Sequence, residues 1–151
     1  MNLNPLDGLS FQFTALEQVP VEPSDADRCV PHRVSGACFS HAALQPLDSP
    51  KIVCTSQPAF ALLSVEIPHG DAEMMAEIAE QLSASKAIAN AKPYAHCYAG
   101  HQFGKFAGQL GDGAATSIGE VATRHQDPLV HAGPNKWELQ FKGAGLTPYS
   151  R

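Results

Sequence analysis

A glycine loop and a lysine in the last third of the chain are the residues whose types and spacing suggest chemistry. Gly111 and Gly113 flank an aspartate, and Lys142 ends a strand-like run that begins at Trp137. The backbone N–H groups of a glycine loop approach phosphates closely, and a lysine on a neighbouring strand supplies a compact positive charge. This combination is the minimal apparatus for holding a nucleoside triphosphate, so the sequence predicts nucleotide handling.

The sequence of this region does not match two common phosphate-binding motifs. A Rossmann fingerprint needs a third glycine and a following helix, but position 116 is threonine and a strand is predicted there. A Walker A loop fails at residues 100–105, where the glycines are one residue too close and Phe106 replaces the magnesium-binding Ser or Thr. A protein-kinase arrangement fits better, because its glycine loop joins two antiparallel strands and its lysine lies on the next strand. A purely structural role of the two loop glycines stays open.

The strand that carries Lys142 has the clearest alternation in the chain. Its residues divide between two faces, with Trp137, Leu139 and Phe141 on one and Glu138, Gln140 and Lys142 on the other. Side chains alternate along a strand, so Lys142 is predicted to point away from the core side, toward solvent or a cleft. A second strand is predicted over residues 114–121.

Helices are predicted at two places before the glycine-rich region. Residues 71–83 form the clearest one, because Asp71 is a good N-cap and Met74, Ile78 and Leu82 recur on one face that is expected to pack on a sheet. Residues 58–63 are predicted to start a helix with a proline in its first turn, and residues 52–54 to form a short strand.

Residues 1–50 are rich in proline, which removes a backbone donor and fixes φ. They are predicted to form an extended N-terminal arm, with residues 51–151 as the nucleotide-binding portion. The predicted fold class is α+β, with an antiparallel sheet and a packed helix.

Composition narrows the partners and the compartment. The net charge of −5, with only ten Lys and Arg, gives no basic stripe and argues against nucleic acid as a partner. No run approaches the ~20 apolar residues that a membrane span needs, so no membrane association is expected. Four cysteines without a C-x-x-C pair, and an N-terminus without a signal peptide, favour a soluble protein in a reducing compartment. Cytoplasm and mitochondrion both stay open.

Several long motifs resemble one known family. They are YAGHQFG at 98–104, FAGQLGDG at 106–113, IGE at 118–120 and ELQFKGAGLTPYSR at 138–151. Together they resemble the selenoprotein O family, whose bacterial members are called YdiU. Upstream, PVE at 20–22 and GACFS at 36–40 are similar to the N-terminal arm of that family.

This resemblance implies a protein-kinase-like fold, of which the chain would form the small-lobe portion. It also implies an enzyme that transfers AMP from ATP to Ser, Thr or Tyr hydroxyls of proteins, with ATP bound in a flipped orientation. The implied nucleotide-binding residues are Gly111 and Gly113, through their backbone, and Lys142, through its ammonium group. Position 114 is alanine where many bacterial members carry an arginine, and Ala114 with Ala115 matches members of eukaryotic type.

The resemblance also implies what this chain lacks. Family members place the catalytic Asp and the metal-binding Asn and Asp downstream of the TPYSR motif, which here ends at Arg151. We therefore expect no catalytic and no metal-binding residue in this chain, and we expect it not to transfer AMP alone. The intact enzyme would use ATP with Mg or Mn. The alternative is a truncated, non-catalytic module that binds a nucleotide or a partner protein.

Overall fold

The computed structural model describes residues 6–23, 30–123 and 135–151. In chain order, these residues form β1 (Phe11–Gln12), α1 (Thr14–Gln18), β2 (Phe39–His41), α2 (Gln57–Leu62), α3 (Ala72–Leu82), β3 (Tyr94–Gln102), β4 (Lys105–Gly111), β5 (Ala115–Thr123) and β6 (Asn135–Lys142). The strand pairs whose register is defined are antiparallel. The predicted α+β class with an antiparallel sheet is confirmed.

The chain divides into two compact units. Of the described residues, the first unit contains 6–12, 46–91, 119–123 and 135–139, and the second contains 13–23, 30–45, 92–118 and 140–151. The predicted arm therefore contributes residues to both units, and its boundary near residue 50 stays a prediction.

The first unit is built around a small apolar core under α3. Leu6, Leu9, Val65, Ile78 and Val121 are its buried members. The predicted helix is confirmed, and its cap is formed by the Asp71 carboxylate, which accepts from the Met74 N–H at 2.9 Å. Ile78 is buried as the pattern predicted, whereas Leu82, the last residue of the helix, is 40% exposed.

The short apolar run before α2 was predicted as a strand, and that prediction is wrong. Residues 51–56 have no regular secondary structure. Ile52 packs on the core of the first unit, whereas Val53 is 97% exposed. The run is therefore divided between core and solvent. The helix predicted after it is confirmed as α2, with a proline in its first turn.

The second unit is organised around β3. This strand pairs with β2 on one side, with β4 through a hairpin, and with the start of β5 through Tyr94 and Ser117. The β3–β4 hairpin turns at Phe103 and Gly104, whose φ angles are 52° and 76°. Two central residues with positive φ define a type I′ turn, which matches the twist of the flanking strands.

The strands predicted in the last third are confirmed as β5 and β6. In β6, Trp137, Leu139 and Phe141 are half-buried, while Glu138, Gln140 and Lys142 are exposed. The alternation therefore places Lys142 on the face predicted for it. Within the described residues, no helix combines the length and the apolar character required to cross a lipid bilayer.

We expect Asp71→Ala to lower the free energy of unfolding by about 1 kcal/mol, because the Met74 N–H loses its acceptor at the start of α3. Urea denaturation monitored by circular dichroism measures this change. Asp71→Asn keeps a side-chain oxygen at the cap and is the matched control. A loss as large in Asp71→Asn as in Asp71→Ala would contradict the hydrogen-bond explanation.

Candidate functional site

The predicted glycine loop connects β4 to β5 in the second unit. The Asp112 N–H donates to the His96 carbonyl at 3.0 Å, and the His96 N–H donates back to the Asp112 carboxylate at 3.2 Å. The Gly113 N–H donates to the Gly111 carbonyl at 2.9 Å. The loop is thus hydrogen-bonded to β3, and the N–H groups of residues 112 and 113 both donate to carbonyl groups of the chain itself.

The segment 147–151 packs against the same loop. The Thr147 hydroxyl donates to the Asp112 carbonyl at 2.6 Å, and the Ser150 hydroxyl donates to the Gly113 carbonyl. Ser150 also accepts from the Thr147 N–H at 2.9 Å, which closes the segment into a compact turn. The TPYSR motif therefore supplies the hydroxyl donors that hold the loop carbonyls.

Close approach of this segment explains why both loop positions are glycine. A Cβ added at Gly111 would lie 2.3 Å from Cγ of Tyr149 and 2.7 Å from the His96 carbonyl oxygen. A Cβ added at Gly113 would lie 2.9 Å from the Tyr149 carbonyl oxygen. The absence of side chains at Gly111 and Gly113 leaves the space that Tyr149 and its backbone occupy. Their contact with phosphate stays a prediction.

Lys142 meets the loop through its neighbour in sequence. The Gly143 N–H donates to the Ala114 carbonyl at 2.8 Å, so the end of β6 lies beside the residue that follows the loop. The Lys142 side chain itself is exposed. The structure therefore brings the backbone of the predicted lysine to the end of the predicted loop, although the two are far apart in sequence.

A cavity of about 530 Å³ lies beside the loop. It is lined by the loop glycines, by Ala114, by residues 145–146 and 149–151, and by Tyr98, Gln102 and Leu110 of the hairpin. Its volume is within the range of small-molecule sites. Lys142 does not line it. Among its described lining residues the only charge is that of Arg151, whose guanidinium donates to the Gln102 side-chain oxygen at 2.6 Å.

A chain of polar side chains, which is buried at Ser40 and partly exposed at Glu22 and His32, supports the Tyr149 hydroxyl. The Tyr149 hydroxyl lies 2.6 Å from the Ser40 hydroxyl, and Ser40 donates to Glu22 at 2.6 Å. The other Glu22 oxygen lies 2.8 Å from Nε2 of His32. Burial raises the pKa of Tyr149 well above its usual range, so the phenol stays neutral and acts as a hydrogen-bonding group.

Gln109 ties the arm to the β4 strand. Its side-chain amide donates to the His32 carbonyl at 2.8 Å, and its side-chain oxygen accepts from the Val34 N–H at 2.9 Å. Gln109, Ser40 and Glu22 lie within the sequence motifs, but no role was predicted for them. The signal that pointed to them was their place inside motifs that resemble a family, because isolated Gln, Ser and Glu residues have no distinctive spacing.

No metal centre is formed by the described residues. Within residues 6–23, 30–123 and 135–151, no three His, Cys, Asp or Glu side chains are grouped closely enough to hold an ion.

We expect Gly111→Ala to lower the free energy of unfolding by about 1–3 kcal/mol, because the added methyl group collides with the Tyr149 ring. Gly108→Ala is the matched control, since it lies in the same strand and its Cβ would meet no heavy atom within 4 Å. Its effect should stay within about 0.5 kcal/mol. Thermal or urea unfolding measures both. Equal effects of the two substitutions would rule out the packing of Tyr149 as the reason for the glycine.

Comparison with known proteins gives consistent matches. A family model described as "Protein adenylyltransferase SelO" matches residues 46–151. A mouse (Mus musculus) relative named "Protein adenylyltransferase SelO, mitochondrial" is 49% identical over 97% of this chain and 21% of its own length. A relative of the same kind from Danio rerio is 45% identical over 100% of this chain and 22% of its own length.

Bacterial relatives match as well. A "Protein nucleotidyltransferase YdiU" from Methylobacillus flagellatus is 38% identical over 95% of this chain and 25% of its own length. The chain thus spans about a fifth to a quarter of the length of the curated relatives that it matches. Since the family model covers more than half of the chain, the chain belongs to the SelO family of protein adenylyltransferases.

Proposed function

We propose that this chain is the N-terminal, nucleotide-holding part of a protein adenylyltransferase with a protein-kinase-like fold. The enzyme transfers AMP from ATP to Ser, Thr or Tyr hydroxyls of other proteins. The observation that supports this most is the hydrogen bond from the Gly143 N–H, next to Lys142, to the carbonyl of Ala114, the residue that follows the glycine loop. It occurs in a chain that shares 49% identity with a named protein adenylyltransferase over 97% of its residues.

In this proposal, Lys142 neutralises phosphate oxygens of ATP. Its ammonium group is a compact charge on a flexible stem, and it pairs with phosphate without requiring a fixed planar geometry. Its exposed position at the end of β6 leaves it available to a ligand. Gly111 and Gly113 line the cavity beside the loop, in which Arg151 supplies a second positive charge.

The residues at the loop fit a nucleotide. The 530 Å³ cavity is large enough for part of one, and its described charge is positive, as a phosphate ligand requires. In the reaction, the hydroxyl oxygen of a protein substrate bonds to the α-phosphorus, the bond to pyrophosphate breaks, and the hydroxyl proton is lost. The part played by this chain is to bind and orient the phosphates.

The described residues do not fit a divalent metal site, because no group of three ligating side chains is present among them. This chain matches only 21–25% of the length of its relatives. We propose that the ligands for Mg or Mn, and the catalytic Asp, lie in the region of the enzyme that corresponds to the unmatched part of those relatives. Metal ions in such enzymes neutralise phosphate charge.

We also propose a mitochondrial or cytoplasmic location. The mouse, Danio rerio and human relatives are named as mitochondrial proteins. ATP and protein substrates are the proposed partners, and nucleic acid is not among them.

Lys142→Ala should weaken ATP binding by about tenfold to a hundredfold, because the charged hydrogen bonds to phosphate are lost. Isothermal titration of the full-length protein measures this affinity. Lys136→Ala is the matched control, since it removes the same charge from the same face of β6. The proposed role of Lys142 fails if the two substitutions weaken binding equally or if neither does.

AMP transfer should require more than this chain. Incubation with α-labelled ATP and a mixture of proteins should label Ser, Thr or Tyr side chains with the full-length protein and should give no label with residues 1–151 alone. Labelling by residues 1–151 would overturn the placement of the catalytic residues. A native protein whose intact mass equals the 16.0 kDa of this chain would favour the non-catalytic binding module.

A further inference from the structure

Two cysteines of the second unit lie opposite each other, Cys97 within β3 and Cys38 immediately before β2 begins. β2 and β3 pair with Phe39 opposite His96, and the same register continued by one residue places Cys38 opposite Cys97. The Cys97 N–H donates to the Cys38 carbonyl at 2.8 Å, so the two backbones are in direct contact there. Directly opposite residues of an antiparallel pair have Cβ atoms about 4.5–5.5 Å apart. Because the Cys97 N–H donates across this position, the pair is a hydrogen-bonded one, and its Cβ atoms are expected toward the upper end of that range. A movement of about 1 Å brings them to the separation of roughly 3.5–4.5 Å that a disulfide needs.

The two thiols also face the same side of the sheet. Cys97 packs against the buried cluster that contains Ala95 and Tyr149. Ser40 reaches the Tyr149 hydroxyl at 2.6 Å from that same side. Cys38 lies two residues before Ser40, and extending the alternation of β2 by one residue directs its side chain the same way. Cys38 is also among the groups that act electrostatically on the Cys97 thiol. Both sulfur atoms therefore project toward the side occupied by Tyr149.

The two cysteines differ in accessibility in a way that suits a stepwise oxidation. Both are free thiols; Cys38 is exposed and Cys97 is partly buried. Burial raises the pKa of the Cys97 thiol, and its hydrogen bond with Tyr149 offsets part of that rise. A dissolved oxidant therefore meets Cys38 first, with Cys97 close enough to react in the second step.

We propose that Cys38 and Cys97 are an oxidative modification site that forms a reversible disulfide and ties the N-terminal arm to β3. The oxidant is a peroxide such as hydrogen peroxide. The Cys38 sulfur attacks one peroxide oxygen, the O–O bond breaks, and a sulfenic acid and one water are formed. The Cys97 sulfur then displaces the sulfenic oxygen as a second water. In total, two thiols lose two electrons and two protons, and one peroxide becomes two water molecules.

The disulfide has a structural consequence in the same unit. It closes a long covalent loop between the arm and β3, which restricts the unfolded chain. The oxidised protein should therefore unfold at a temperature higher by roughly 5 °C or more than the reduced protein. Cys38 is exposed to solvent, so thiol reductants should reach the disulfide and reduce it.

Peptide mapping tests the proposal directly, because trypsin separates the four cysteines. They fall in the tryptic peptides 29–33, 34–51, 52–86 and 87–105, since the Lys92–Pro93 bond resists cleavage. The native protein is treated with hydrogen peroxide, remaining thiols are alkylated, and the digest is analysed without reduction. We expect peptides 34–51 and 87–105 to be joined, and dithiothreitol to separate them.

Three variants sharpen the result. Cys38→Ser and Cys97→Ser should each abolish the joined peptide and the rise in unfolding temperature. Cys54→Ser is the matched control, since it removes another exposed thiol and should leave both intact. The proposal is overturned if Cys38 joins Cys29 or Cys54 instead, or if Cys38 and Cys97 are both recovered in alkylated form after the peroxide treatment. Mapping of the unsubstituted protein decides this without depending on how any variant folds.

Discussion

The packing of Tyr149 against the glycine loop is the contact on which the candidate site depends. The ring occupies the space that a side chain at Gly111 would need, and its hydroxyl is bonded to Ser40 on the opposite side. Burial keeps the phenol neutral, so it forms these contacts without a charge that would draw water to the site. The shape of the loop is therefore set by a residue far along the chain.

The N-terminal arm is part of this arrangement. Glu22 accepts from Ser40 and lies beside His32, so a largely buried carboxylate has a partner on each oxygen. A buried charge without partners would be costly, and the two contacts remove much of that cost. The match to the mouse protein covers 97% of this chain and therefore includes most of the arm. The match to the family model, by contrast, begins at residue 46. Within this structure, Ser40 of the arm contacts the Tyr149 hydroxyl and so supports the packing beside the glycine loop.

Elements governed by local rules were predicted correctly. Asp71 caps α3, a proline lies in the first turn of α2, and β6 alternates as its sequence requires. Each depends on neighbours a few residues away, which the sequence displays directly. The run at residues 52–54 was misread because a strand requires a pairing partner, and an apolar run does not show whether one is available. The sequence also did not show that Tyr149 packs where a side chain at Gly111 would lie. The predicted contact of the Gly111 backbone with phosphate stays a prediction.

By itself the sequence determined the α+β class, the strand that presents Lys142 and the motifs that identify the family. These follow from periodicity, caps and long characteristic segments, all of which are local in the chain. Only the tertiary structure decided that residues 147–151 fill the space above the loop, that Ser40 and Glu22 support Tyr149, and that Cys38 lies opposite Cys97. Such contacts join positions far apart in sequence. They depend on strand register and on which side chains fit together in the folded protein, and neither is visible in a local stretch of sequence.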